Sequence, residues 1–304
     1  MKERVKEAFY AEVAKRSPAL RRLNTSQSLF EVPNSDARIY VRYSTVHPGG
    51  KTFYGLRDVD LRLLEGRPAL ICFLWDGQPL PLLIPFAAFE SVFASAKAAS
   101  DGQFKVQVYP DSQTTELYIG GMGRYNVEGY LGWHELDHLV QARDGVENAT
   151  YTHNQIQTLL GAIGHAKGND VWVPASDRIA LDWALTPQFS WQLSLPQPFK
   201  AVEPILSEID VVWIKRGSSE LAALFEIEHS TPVYSGLLRF NDVHLNAPNL
   251  RTRFSIVAND ARRDLFARQI NRPTFQRSGL SDLCTFMEYA NVVDWHRRIV
   301  NQSP

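Results

Sequence analysis

The sequence predicts two domains: a β-rich α+β domain over residues 1–145 and an α/β domain over residues 146–304, whose mixed sheet is flanked by helices. Three observations carry that reading. Paired β-prone runs dominate the first half, the clearest at 104–109 and 115–119. In the second half, helix-type and strand-type runs alternate from an amphipathic stretch at 153–164 to a closing helix that carries Trp295, His296, Arg297 and Arg298. Between the halves, 123–132 is rich in Gly and aromatic residues and 142–148 is polar, which sets a boundary near 140–150.

A chain of 304 residues with 44% hydrophobic content can bury a proper core in each domain. The formal net charge of -1 excludes a uniformly basic nucleic-acid binder, so any DNA-binding face must be locally basic. Cys72 and Cys284 sit inside apolar runs, which fits buried free thiols in a reducing cytoplasm better than a disulfide framework or a zinc site. The charged start, Met-Lys-Glu-Arg-Val-Lys-Glu, lacks the apolar core of a signal peptide, and no run approaches the roughly 20 apolar residues of a membrane span. A soluble, cytoplasmic protein without membrane contact is expected.

In chain order, residues 1–16 form a helix with Val5, Phe9 and Val13 on one face, ended by Pro18. A strand at 38–43 leads into the His47-Pro48-Gly49-Gly50-Lys51 turn and a short helical stretch at 56–64. Strands at 69–75 and 82–84, a helix at 87–98 and the hairpin closed by Pro110-Asp111-Ser112-Gln113 complete the first domain. The second domain runs helix (153–164), strand (170–174), a Pro-punctuated stretch to Pro204, an acidic hairpin, helix (234–245), strand (254–258), helix (261–270), strand (284–287) and the closing helix.

The acidic hairpin is the chemically suggestive stretch. Its runs, 207–214 and 221–229, are apolar and β-prone, yet they carry Asp210, Glu226 and Glu228, and a Lys-Arg-Gly-Ser-Ser turn joins them. Alternation along a strand points Glu226 and Glu228 to one face and Phe225 and Ile227 to the other. Carboxylates in an apolar layer cost several kcal/mol unless a counter-charge, typically a metal ion, meets them.

Over about residues 150–290, the order helix, strand, strand with Asp, strand with Glu-x-Glu, helix, strand resembles the PD-(D/E)XK, or restriction-endonuclease-like, nuclease superfamily. The Glu226-Ile227-Glu228 run is similar to the Glu-x-Glu subgroup found among type II restriction enzymes. The resemblance implies a restriction-endonuclease-like second domain and Mg2+-dependent hydrolysis of DNA phosphodiester bonds. It makes Asp210 the first acid, Glu226 the second, and places Glu228 where Lys is usual. Asp210, Glu226 and the Ile227 carbonyl are then the ligands of one or two Mg2+ ions, replaceable by Mn2+, with Glu228 as base or as ligand to a second ion. Many relatives add a Glu from the first helix; here Gln155 or Gln157 stands in that region, and Gln155 is assigned a water-mediated contact to the ion. Double-stranded DNA is the expected partner, and cutting both strands suits a homodimer. The alternative of another class is a nucleic-acid-binding protein that keeps this fold without turnover.

For DNA contact the first domain offers Arg38, Arg42, Lys51 and Arg57 among Tyr40, Tyr43, Phe53 and Tyr54, and the second offers Arg239. Arg251, Arg253, Arg262, Arg263, Arg268, Arg272 and Arg277 could flank a duplex, although such runs are commonly solvated helix faces. A third option is zinc peptidase chemistry through His134-Glu135-Leu136-Asp137-His138, with Glu147 as the nearest further ligand. The charge at Asp137 and the Gly132-Trp133 lead weigh against it.

Overall fold

The computed structural model of the protein describes residues 2–17, 19–33, 36–110, 114–141, 151–229, 233–247 and 252–300. Pro18, the 111–113 turn, the boundary stretch 142–150 with Glu147, and Arg251 lie outside them. The chain divides into two compact units, Met1–Glu147 and Asn148–Pro304.

The first unit contains α1 (Lys2–Arg16), β1 (Arg21–Arg22), β2 (Leu29–Glu31), β3 (Arg38–Ser44), β4 (Thr52–Arg57), α2 (Asp58–Arg62), β5 (Ala69–Trp75), β6 (Leu82–Pro85), α3 (Phe86–Ser95), β7 (Gln103–Tyr109), β8 (Glu116–Ile119), β9 (Gly123–Asn126) and α4 (His134–Gln141). Its strands form two sheets, ordered β1-β2-β3-β5-β6 and β4-β7-β8-β9. The unbroken apolar run of β5 is covered on both faces, as such runs require. Ile71, Phe73 and Trp75 pack in one core, and Leu70, Cys72 and Leu74 in the other beside Phe9 and Val13 of α1. One local expectation fails. Residues 52–57 are a strand rather than a turn running into a helix, because Thr52, Tyr54 and Leu56 alternate inward and leave only Asp58–Arg62 helical.

The second unit contains α5 (His153–Ala166), β10 (Asn169–Trp172), α6 (Glu203–Leu206), β11 (Val211–Lys215), β12 (Leu221–Ile227), α7 (Val233–Asn246), β13 (Arg253–Ala258), α8 (Arg263–Ile270), α9 (Pro273–Ser278), α10 (Leu280–Leu283), β14 (Cys284–Glu288) and α11 (Tyr289–Val300). The sheet order is β10-β11-β12-β13-β14. The β10–β11 and β11–β12 pairs are antiparallel, and β12–β13 and β13–β14 are parallel.

Helices cover both faces of this sheet. Leu237, Phe240 and Val243 of α7 pack with Leu224 and Ile256 on one side. On the other, Ile156, Leu159 and Ile163 of α5 and Val292 and Trp295 of α11 pack with Trp213, Phe225 and Ile227. Gly164 lets α5 approach closely, since a Cβ there would lie 2.4 Å from Trp213 Nε1. That indole instead donates to the Leu160 carbonyl at 3.0 Å. The protein is thus mixed α/β, with its acidic hairpin at the centre of the second unit. No helix among the described residues is long and apolar enough to cross a membrane.

Candidate metal centre at the end of the acidic hairpin

Register brings the acids together. Val211 pairs with Phe225, so Asp210, one residue earlier, comes level with Glu226 at the carboxyl end of β12. Asp210 Oδ2 accepts the Ile227 backbone N–H at 2.6 Å, which extends the ladder by one side-chain bond. Past the end of β12 the Glu228 N–H still bonds the Val257 carbonyl at 2.9 Å, so the alternation set by the strand continues. Glu226 and Glu228 are 1% and 2% exposed. Gly236 of α7 leaves them room, because a Cβ on it would lie 2.7 Å from Glu228 Oε1 and 3.1 Å from Glu226 Cβ. One turn later Arg239 forks onto Glu226, with Nε and an Nη each 2.7 Å from a carboxylate oxygen.

A second group reaches Asp210 from α5 and the loop after β10. His153 Nδ1 lies 3.2 Å from the Ile227 carbonyl oxygen, and its Nε2 lies 3.6 Å from Asp210 Oδ1. Gln157 Nε2 donates to Asp177 Oδ2 and to the Asp210 carbonyl, both at 3.0 Å. One ligand atom from each of His153, Asp177 and Asp210 falls within 4.8 Å of the others.

Burial governs the electrostatics. It pushes the Asp210 carboxyl up to about 7, aided by the charges of Asp177 and Glu228 and opposed by the Ile227 N–H and Arg239. It pushes Glu226 up to about 8, with Asp210 and Glu228 adding to the rise and Arg239 opposing it. Arg239 is itself held above its ordinary value by its bonds to Glu226. Burial lowers His153, against the pull of Asp177, the Ile227 carbonyl and Glu228, which favours a neutral imidazole. Near neutral pH these carboxyls therefore tend to hold protons unless a cation takes the protons' place. That donor set, Asp210, Glu226 and Glu228 near one arginine with Asp177 beside Asp210, fits a divalent cation.

Other sequence-predicted residues lie elsewhere or have other partners. Gln155 is the third residue of α5, where its Oε1 accepts the Thr152 N–H at 3.0 Å in a capping box. It is Gln157, one turn on from His153, that meets Asp210. Arg38 is 3% exposed and donates to the Leu63 carbonyl, so it offers no surface cation. Arg42 stacks on Tyr40 and bonds Ser28, Lys51 lies over Phe53, and the exposed Arg57 comes 3.9 Å from Asp60. The His134 and His138 rings are 6.3 Å apart on α4, where Asp137 is paired with Arg16 at 3.0 Å. No group of three His, Cys, Asp or Glu ligands converges there among the described residues. Cys72 and Cys284 are buried free thiols.

His153, Asp177 and Gln157 as a set were not legible in the sequence. The one signal was a polar pair, His153 and Gln157, one turn apart on a helix whose other buried residues are apolar except Thr158.

Residues 136–302 match the family described as the type II restriction enzyme NmeDI C-terminal domain, which is more than half of the chain. The chain belongs to that family. The matched stretch contains the whole acidic hairpin, α5 and α7. Within the curated relatives, the type II restriction enzyme NmeDI of Neisseria meningitidis serogroup C is 34% identical over 134 residues, covering 41% of this chain and 37% of that protein. No solved structure matches.

Proposed function

We propose that the protein is a restriction-type endonuclease that hydrolyses double-stranded DNA with Mg2+. In this reading the second unit is a restriction-endonuclease-like catalytic domain and the first recognises DNA. The observation that carries it is the convergence at one strand end of a half-buried Asp210 with the buried Glu226 and Glu228, in a chain of the NmeDI C-terminal family. Mn2+ is expected to substitute, a homodimer would cut both strands, and the buried free cysteines suit a cytoplasmic setting.

When bound, Mg2+ supplies positive charge at the phosphate and acidifies the attacking water. Asp210 Oδ1, Glu226 and the Ile227 carbonyl, which His153 Nδ1 approaches to 3.2 Å, are the groups that would hold it. The Ile227 N–H fixes the other Asp210 oxygen, so this carboxylate is already oriented. Glu228 would take a proton from the attacking water. Arg239, on leaving Glu226, carries its charge to a phosphate oxygen.

The second reading, a DNA-binding protein without turnover, is favoured by one observation: Arg239 engages both oxygens of Glu226. The test is cleavage and binding of the same DNA by wild type and by the Asp210→Ala and Glu226→Ala variants. Cleavage lost with binding retained supports the nuclease. Full activity in either variant removes the site assignment, and binding without cleavage by wild type selects the second reading.

A further inference from the structure

We propose that His153, Asp177 and Asp210 form a nitrogen-bearing cation site that takes a transition-type divalent ion, of the Mn2+ and Co2+ class, in preference to Mg2+. The proposal rests on the reading of Asp210 as a metal ligand, but it does not require DNA cleavage.

The three residues come from separate places, the first turn of α5, the loop after β10 and the residue before β11, yet their ligand atoms lie within 4.8 Å. Each is oriented by a partner. The Ile227 carbonyl 3.2 Å from His153 Nδ1 fixes the tautomer with the proton on that nitrogen, which leaves the Nε2 lone pair facing Asp210 Oδ1 at 3.6 Å. The Ile227 N–H occupies Asp210 Oδ2 and so presents Oδ1. Asp177 is held on one oxygen by Gln157 Nε2 at 3.0 Å and on the other by Ser176 Oγ at 2.8 Å. A hydrogen-bonded outer shell of this kind is what metal-ligating His and carboxylate groups characteristically carry.

Gln157 supplies an independent sign. It is 0% exposed, its amide nitrogen points into the cluster, and its Oε1 is buried without a hydrogen-bond partner among the described residues. Such an acceptor is costly to leave unmet, and a water in the shell of a bound cation would donate to it.

Ligand chemistry sets the ion class. Mg2+ favours oxygen ligands in a near-ideal octahedron, whereas an imidazole nitrogen suits the first-row transition ions. The same imidazole occupies the Ile227 carbonyl that an all-oxygen site would use.

The experiment is Mn2+ titration of the full, chelator-stripped chain by electron paramagnetic resonance, with pulsed detection of 14N coupling, repeated with Mg2+ as competitor. Tight Mn2+ binding with 14N coupling is expected, displaced only by a large excess of Mg2+. His153→Ala and His153→Gln should abolish the coupling, and Gln157→Leu should weaken binding by about 10–100-fold. Circular dichroism and thermal melts of the variants confirm that they fold. Absent 14N coupling in wild type, or Mn2+ affinity unchanged in a folded His153 variant, overturns the proposal. Plasmid cleavage in Mg2+, measured in parallel, keeps the two readings apart. Cleavage without a 14N-coupled site refutes this inference alone, and a 14N-coupled site without cleavage in any metal refutes the nuclease alone.

Discussion

Replacing Arg239 by Ala tests the electrostatics of the centre directly. Glu226 is 1% exposed and receives two guanidinium bonds of 2.7 Å, so the variant leaves a buried carboxyl without its cation. Breaking a buried pair costs about 3–5 kcal/mol. Because the Arg239 side chain keeps 29% of its exposure, the lower end, about 3 kcal/mol, is the expected loss when Glu226 is ionised. Its pKa, raised by burial to about 8, sets the pH at which that applies. A carboxyl whose folded value exceeds its unfolded value keeps its proton only in the folded chain, so stability falls as pH rises from the unfolded value through the folded one. In the wild type that window closes near pH 8, whereas in Arg239→Ala it extends higher. The gap between the two proteins should thus be about 1.5 kcal/mol at pH 6, where the guanidinium loses its hydrogen bonds to an uncharged carboxyl. It should open to about 3 kcal/mol at pH 9. Urea unfolding in the presence of a chelator measures both, and adding a divalent cation at pH 9 should narrow the gap. Equal losses at the two pH values, or no loss at pH 9, would refute this reasoning.

Other expectations follow from the same geometry. Gly236→Ala would force a Cβ to within 2.7 Å of Glu228 Oε1, so a stability loss of about 1–3 kcal/mol and a fall in cleavage of about tenfold or more are expected in melts and plasmid assays. Gly164→Ala would drive the Trp213 indole off the Leu160 carbonyl and cost about 2–3 kcal/mol in urea unfolding, with residual activity tracking the folded fraction. Glu228→Gln keeps the shape of the side chain but removes the proton acceptor; cleavage should fall by about 10²–10⁴-fold with DNA affinity unchanged in a binding assay.

The acidic hairpin was legible because it breaks the rule for a buried strand, and because β-prone runs flank a turn that includes Gly217 at φ 72°. The continuous apolar run of β5 and the helical period of α5 were equally plain. Strand β9 was not, since none of its four residues is buried and no alternation marks it. At the site, the sequence offered two glutamines and helical phase decides between them. Gln157 shares a face with His153 one turn earlier, while Gln155 stands about 200° round the helix and serves the cap instead. Asp177 joins through a loop that sequence pattern cannot place, and Arg38 is hidden because β3 is covered on both faces.

The nuclease reading is tested most directly by incubating supercoiled plasmid with the purified chain under three conditions, chelator alone, Mg2+ and Mn2+, beside Asp210→Asn. Cleavage by the wild type in either metal, none in chelator and none by Asp210→Asn is the expected result. Cleavage that survives the chelator or the Asp210 substitution would contradict a metal-dependent active site at the end of the acidic hairpin.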